Sequence, residues 1–269
     1  MKQDIVVVFM VGGISSRFGG RIKSLISVGS HGERLLEWSM IQALPAGFTK
    51  IVLIVSPMTA ESIRAVFGNA FQGVPIVYAI QSFDQTTRDK PWGTTDALCS
   101  ARPFLDCPFV VCNGDDIYGS TAFSVLAHHL RTHQEAAIIG YRLGDVISEV
   151  PNNRAILEVD SEENVQKIVE TFGITQENLK TLQLREQAYC SMNIVALSHS
   201  VLSLLSARLE MFKAEHVGEC KSECLLPNEI STLLENKVFT MKLYPAQEPW
   251  IGVTAPEDEV KVREFLKKF

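Results

Sequence analysis

The sequence predicts an α/β fold in which a mixed, mostly parallel sheet is flanked by helices. Two observations carry that prediction. Apolar, β-branched runs alternate with helix-like stretches through the first half of the chain, the pattern left by strands buried on both faces and joined by crossover helices. The 269 residues are also 46% hydrophobic, enough to fill a core on each side of a large sheet.

The elements follow in order. Strands are expected at Ile5–Met10, Lys50–Val55, Val74–Ile80 and Pro108–Cys112, alternating with helices at Leu35–Leu44, Thr59–Phe67, Thr94–Ala101 and Thr121–His129. After about residue 135 the rhythm changes. Strand-like segments at Ala136–Tyr141, Arg154–Val159, Val165–Thr171 and Ala188–Ala196 arrive with little helix between them, which reads as added antiparallel structure. Helices return at Val201–Phe212 and Pro227–Glu235, a strand is expected at Lys237–Leu243, and an amphipathic helix covers Glu257–Phe269. No linker, repeat or low-complexity segment divides the chain, so one domain over residues 1–269 is expected.

Composition narrows the function. A formal charge of −6 argues against a surface that coats nucleic acid, because affinity for phosphate backbones comes from clustered cations. The longest apolar runs, such as Ile51–Val55, fall far short of the roughly 20 residues that span a bilayer. The start shows no charged n-region and apolar h-region, so a cytoplasmic location is expected. The six cysteines are scattered through a chain too large to need disulfide staples, which fits a reducing compartment. His216, Cys220 and Cys224 would share one face if that stretch were helical, but they lack the C-x-x-C spacing and fourth ligand of a structural zinc site. His128, His129 and His133 read as surface residues, since no Glu completes a zincin pair.

In open α/β sheets, ligands sit beyond the carboxyl ends of the strands. After the first strand comes Gly12-Gly13-Ile14-Ser15-Ser16-Arg17-Phe18-Gly19-Gly20-Arg21-Ile22-Lys23. Its glycines let backbone N–H groups approach an anion, and Arg17 and Lys23 can neutralise phosphate. Neither a Walker A loop nor G-x-G-x-x-G is present, which weakens ATPase and dinucleotide readings. The alternative is a Gly-rich turn with solvated cations. The fourth strand ends in Asn113-Gly114-Asp115-Asp116, and a carboxylate there suits a hard ion such as Mg²⁺, with Asp115 as ligand. Helix capping by the two aspartates is the competing reading. Gln81, past the third strand, and Gly93-Thr94, at a helix start, offer hydrogen bonds and close approach to a flat base, although Thr94 or Thr95 could simply cap that helix.

Taken together, these segments resemble the sugar-phosphate nucleotidyltransferase superfamily. The opening pattern of strand, Gly-Gly-x-x-x-Arg and Lys is similar to Gly12-Gly13-Ile14-Ser15-Ser16-Arg17 and Lys23, and the base pocket of Gln and Gly-Thr resembles Gln81 and Gly93-Thr94. The metal Asp of a strand-closing Gly-Asp pair resembles Asp115, the sugar-side Glu resembles Glu170, and the acceptor-pocket Asn resembles Asn193. Asn-x-Asp-Asp, Ser-Met-Asn and the Trp250-to-Thr254 segment, Trp-x-Gly-Val-Thr, resemble a bacterial subgroup of nucleotidyltransferase-like proteins. The chain departs from the family at Ser27, where a proline is usual, at Thr171, where a basic residue often follows the Glu, at Ala155, where many members have a glycine against the sugar, and at Thr254, in the second metal position. Asp258 is the nearest residue that could substitute there as a metal ligand.

The resemblance implies a Rossmann-like fold of the nucleotide-diphospho-sugar transferase type. Residues 1–135 would bind the NTP, and residues 136–269 would form the acceptor-binding elaboration and C-terminal helix. It further implies an Mg²⁺-dependent enzyme that joins an NTP to a phosphorylated small molecule, most simply a sugar 1-phosphate, and releases pyrophosphate. Arg17, Lys23 and Asp115 would carry the chemistry. Gly12, Gly13, Ser16, Gln81, Gly93 and Thr94 would hold the nucleotide, Glu170 and Asn193 the acceptor, and Asp115 with Asp258 the metal. The alternatives are a cytidylyltransferase for a phosphorylated amino-alcohol such as phosphocholine, with Trp92, Trp250 and Tyr118 as a cation cage, and a nucleotide-sugar-binding protein without catalysis.

Overall fold

The computed structural model describes residues 3–13, 18–147, 149–253 and 258–267. Its centre is a ten-stranded sheet in which eight strands run in the order β11-β7-β10-β5-β1-β2-β4-β3. These are β1 (Val6–Met10), β2 (Lys50–Val55), β3 (Ala70–Phe71), β4 (Val74–Ile80), β5 (Phe109–Asn113), β7 (Ala136–Arg142), β10 (Tyr189–Leu197) and β11 (Met241–Pro245). β8 (Asn152–Val159) pairs with β10, and β9 (Val165–Ile174) pairs with β8. Two short strands, β6 (Asp116–Ile117) and β12 (Ile251–Gly252), form a separate antiparallel pair.

The expected alternation is present. β1, β2, β4 and β5 pair in parallel, with Val6 opposite both Lys50 and Phe109. The residues of β1, β2 and β5 are almost all buried, as the unbroken apolar runs require, whereas β4 leaves Pro75 and Ile80 exposed. On one face lie α1 (Leu35–Ala43), α2 (Ala60–Phe67) and α4 (Ser120–Thr132), which bury Met40, Ile63 and Phe123 against Phe9 and Leu53. On the other lie α3 (Thr94–Ser100), α6 (His199–Glu215) and α7 (Leu226–Glu235), which bury Leu98, Leu205 and Ile230 against Val8 and Val111. α5 (Leu143–Val146) is a single turn after β7. α8 (Asp258–Leu266) packs Val262 and Leu266 against Phe18, Val28 and Leu35, bracing the far end of the Gly-rich loop.

The second half is antiparallel at its junction with the first, since β10 runs against β5, β7 and β8. One side of β10 is shared. Its residues Ile194–Leu197 pair with β5, whereas Tyr189–Ser191 pair with β8. At the change of partner Asn193 takes a left-handed φ of 60°, and the register with β7 shifts between Ser191 and Val195. This bulge opens the sheet where β5 ends and β8 begins.

Two expectations, for the strand at Lys237–Leu243 and for His129, are corrected, and the helix that would have grouped His216, Cys220 and Cys224 is not formed. The strand expected at Lys237–Leu243 is Met241–Pro245, because Lys237 has a φ of 55° and breaks the extended run. His216, Cys220 and Cys224 do not share a helix face: α6 ends at Glu215 and Gly218 turns the chain with a φ of 87°. No group of three His, Cys, Asp or Glu suited to a metal occurs among the described residues. His129 is buried, stacked on His133 and hydrogen-bonded through Nδ1 to the Tyr244 hydroxyl and through Nε2 to the Glu135 carbonyl. It is a packed core histidine whose two nitrogens are both satisfied. No described helix is long and apolar enough to cross a membrane.

Candidate active site

A cleft of about 650 Å³ opens beyond the carboxyl ends of β1, β2, β4 and β5, where the strand order reverses around β1. Gly12, Gly13, Lys23, Gln81, Gly93, Thr94 and Asp115 all line it, so seven sequence-derived candidates converge on one cavity. Ser16 and Arg17 lie outside the described residues, as does Thr254.

Each wall has a local cause. Gly114 lets the turn after β5 lie on β1, since a Cβ there would sit 2.2 Å from Val11 Cγ1. The turn thereby presents Asp115 to the cleft, and Asp115 Oδ2 lies 2.6 Å from Lys23 Nζ. The competing reading of Asp115 and Asp116 as helix caps fails, because α4 begins at Ser120 with Gly119 as its N-cap. Lys23 stands on a 3₁₀ turn, Lys23–Leu25, at the end of the Gly-rich loop. The loop's third cation, Arg21, is turned away and bonds Glu259 of α8 at 2.7 Å.

Asp116 points the other way from its neighbour. It is buried, accepts a hydrogen bond from Asn113 Nδ2 at 2.9 Å and lies 3.2 Å from the Tyr118 hydroxyl. Burial, and next the charge of Asp115, push its pKa up to about 6. The Tyr118 hydroxyl also accepts from the Asn113 N–H and donates to the Met192 carbonyl at 2.8 Å, tying the turn after β5 to β10. Neither Asp116 nor Tyr118 was singled out for this structural role by sequence, where a Gly-Asp-Asp run does not say which carboxylate is buried.

At the opposite end, Gln81 Nε2 donates to the Gly93 carbonyl at 3.0 Å and to Asp96 Oδ2 at 2.9 Å. Asp96 is buried in turn against Lys213 of α6, with Nζ to Oδ1 at 2.8 Å. Sequence reading missed both partners. Gly93 has a φ of 96°, and a Cβ on it would meet the Cys224 carbonyl oxygen at 2.7 Å, so only glycine fits where the loop before α7 crosses. Thr94 caps a helix, though not its own: its hydroxyl accepts from the Leu226 N–H at the start of α7.

Glu170 and Asn193 are not among the residues that line the cleft. They lie on β9 and β10, on either side of β8, where Glu170 is opposite Ala155 and Ala155 is opposite Ser191, two residues before Asn193. Burial raises the pKa of Glu170. Asp258 opens α8, lies 3.5 Å from Lys261 and is not among the residues that line the cleft. The aromatic cage is not formed. Tyr118 is fully buried, Trp92 is covered by the Arg88 guanidinium at 3.3 Å, and Trp250 packs over Gly252 with Arg154 at 5.4 Å from its ring.

Comparison with known proteins agrees with this architecture. Three solved structures share the fold over nearly the whole chain. An inositol-1-phosphate CTP transferase from T. maritima is 15% identical, with a TM-score of 0.69 and coverage of 100% of this chain and 96% of its own. A protein from Bacillus anthracis described as a glucose-1-phosphate thymidylyltransferase, in complex with sucrose, is 15% identical with a TM-score of 0.73, covering 98% and 96%. A UDP-glucose pyrophosphorylase complexed with UDP-glucose is 13% identical with a TM-score of 0.67, covering 98% and 99%. No curated protein matches this sequence. The family model described as Nucleotidyl transferase matches residues 7–171, from β1 through Glu170. The chain belongs to the nucleotidyl transferase family.

Proposed function

We propose that this enzyme transfers a nucleotidyl group from an NTP to the phosphate of a sugar 1-phosphate and releases pyrophosphate. The observation that carries the reading is the convergence of Gly12-Gly13, Lys23, Gln81, Gly93-Thr94 and Asp115 on one cleft of about 650 Å³, a volume suited to a nucleotide.

An acceptor phosphate oxygen attacks the α-phosphorus in line. The bond from that phosphorus to the bridging oxygen breaks, and pyrophosphate departs with the electron pair. No covalent enzyme intermediate is needed, so positioning and charge stabilisation supply the rate. Backbone N–H groups of the Gly-rich loop and Arg17 bind the departing β- and γ-phosphates. Lys23 neutralises the α-phosphate or the incoming acceptor phosphate, and its ammonium is already held at the cleft by Asp115. Gln81 and Gly93-Thr94 hold the base, while Glu170 and Asn193 hold acceptor hydroxyls.

The donor set suits Mg²⁺. Asp115 offers a hard carboxylate at the cleft, and this ion is usually held by one or two carboxylates with substrate phosphates and water. When bound, it would neutralise phosphate charge beside Asp115. The cytoplasmic location expected from the sequence is consistent with such substrates.

Pyrophosphate release from each of the five common NTPs, tested with a panel of sugar 1-phosphates and Mg²⁺, checks the reading. Turnover with one pair, lost in Asp115→Asn and in Arg17→Ala, is the expected result. Undiminished turnover in Asp115→Asn would remove Asp115 from the mechanism, and absence of turnover with every pair would overturn the choice of acceptor class.

A further inference from the structure

We infer that Arg88 is a positioning residue for the nucleotide site: standing outside the cleft, it clamps a strap from the second half, residues 219–225, onto residues 88–95, and the two segments together form one cleft wall. The inference rests on the nucleotide reading above and extends that half-site past residue 135.

Arg88 is a buried cation, 6% exposed, with no carboxylate paired to it among the described residues. A charge withdrawn from water needs dedicated partners. Here they are three carbonyls and a ring. Nε donates to the Lys90 carbonyl at 3.1 Å, Nη1 to that of Glu219 at 2.6 Å and Nη2 to that of Ser222 at 2.5 Å. The Trp92 ring covers the guanidinium at 3.3 Å, and Trp92 meets Phe212 of α6 edge-on. A planar cation with donors on three nitrogens serves both segments from beneath that ring, which an ammonium cannot do.

Around this clamp the backbones are stitched together. The Asp89 N–H donates to the Cys220 carbonyl at 3.1 Å, the Cys224 N–H to the Trp92 carbonyl at 2.7 Å and the Thr95 N–H to the Cys224 carbonyl at 3.1 Å. Lys90 and Glu223 add an ion pair at 2.5 Å. Lys90, Pro91, Gly93 and Thr94 line the cleft together with Glu223 of the strap, whereas Arg88 and Trp92 do not. The strap lies between α6 and α7 and belongs to no helix or strand, so its place against the cleft depends on these contacts. A wall docked only part of the time lowers the apparent affinity by the docked fraction. Loss of the clamp therefore weakens nucleotide binding without removing any group that lines the cleft.

Two measurements on the full chain test this: titration calorimetry with UTP, dTTP, GTP, CTP and ATP, and labelling of Cys224, fully buried in the strap, by a thiol reagent at pH 8 with peptide mapping. In Arg88→Met the best of the five nucleotides should bind roughly tenfold more weakly, as for a strap docked in about a tenth of the molecules. Cys224 should label in the folded protein, and that nucleotide at saturation should slow the labelling. Cys112 and Cys190, buried in β5 and β10, should stay protected, which separates release of the strap from unfolding. Arg88→Lys should behave like Arg88→Met, and Trp92→Leu carries the same expectations if Arg88→Met does not fold. Binding within twofold of wild type in a variant whose Cys224 labels would overturn the inference. So would weakened binding with Cys224 still protected, since the strap would not have moved. Either result leaves the nucleotide site standing, whereas folded wild-type protein that binds none of the five would overturn both.

Discussion

Gly114→Ala is the sharpest test of how the turn after β5 is built. The added methyl would start 2.2 Å from Val11 Cγ1, 3.1 Å from Leu36 Cδ1 and 3.2 Å from Phe9 Cβ. Val11 is 5% exposed and Leu36 0%, so neither can swing into solvent, and the Val11 methyl must move by roughly 1 Å to reach ordinary contact. Overpacking of this kind costs about 1–3 kcal/mol, which in a chain of this size lowers Tm by roughly 2–4 °C for each kcal/mol. Val11→Ala alone removes two buried methyls and costs about 1–3 kcal/mol. Together the changes should compensate, because the new methyl occupies space the old ones vacate. Urea unfolding followed by tryptophan fluorescence should therefore give a double variant that is about 1 kcal/mol or more stabler than the sum of the singles predicts. Turnover should follow the same pattern, since a displacement of about 1 Å at Asp115 can cost on the order of a hundredfold. Strict additivity of the two costs would refute the packing argument.

Thr94→Val removes the acceptor for the Leu226 N–H and should cost about 1 kcal/mol in urea unfolding; an unchanged midpoint would show that water replaces the cap. Asp116 has a pKa raised in the fold, so the folded state binds its proton more tightly than the unfolded chain, and stability should fall as pH rises from about 4 to about 6. In chelator, wild type minus Asp116→Asn isolates this loss, up to about 3 kcal/mol at 1.36 kcal/mol per unit, and parallel pH profiles would contradict it. Burial holds the thiols of Cys190 and Cys224 up at about 12 and that of Cys112 well above its usual value, whereas Cys220 is exposed. A thiol-specific reagent at pH 8 should modify Cys220 first and reach those three only after denaturation. Early labelling of Cys224 would mean that its loop opens in the native protein.

The parts of this molecule that sequence makes legible are those governed by short-range pattern. β2 and β4 match the expected bounds, and β1 and β5 match within a residue, because parallel strands in a sheet core leave unbroken apolar runs. The cleft-lining residues Gly12, Gly13, Gln81 and Asp115 stood out in the sequence because each lies just past a strand end. What could not be read are couplings between distant residues: Asp96 with Lys213, Thr94 with Leu226, Arg21 with Glu259. Nothing in the neighbourhood of any of these residues announces its partner. β6 and β12, two residues each, carry no periodicity. His129 was misread because a histidine near a helix end shows its burial only once Tyr244 is placed beside it.

The division of labour along β10 has a further consequence. One continuous strand borders β5 over one stretch and the β8–β9 hairpin over the next. On the proposed assignment of Glu170 and Asn193 to the acceptor, the gap between the two half-sites is set by the rise of a single backbone, like marks on one ruler, and the hairpin could be exchanged or reshaped to admit a different acceptor while the reacting phosphates keep their spacing. A graft of β8–β9 onto β10 is therefore a natural unit for changing what this scaffold joins without disturbing how it joins it.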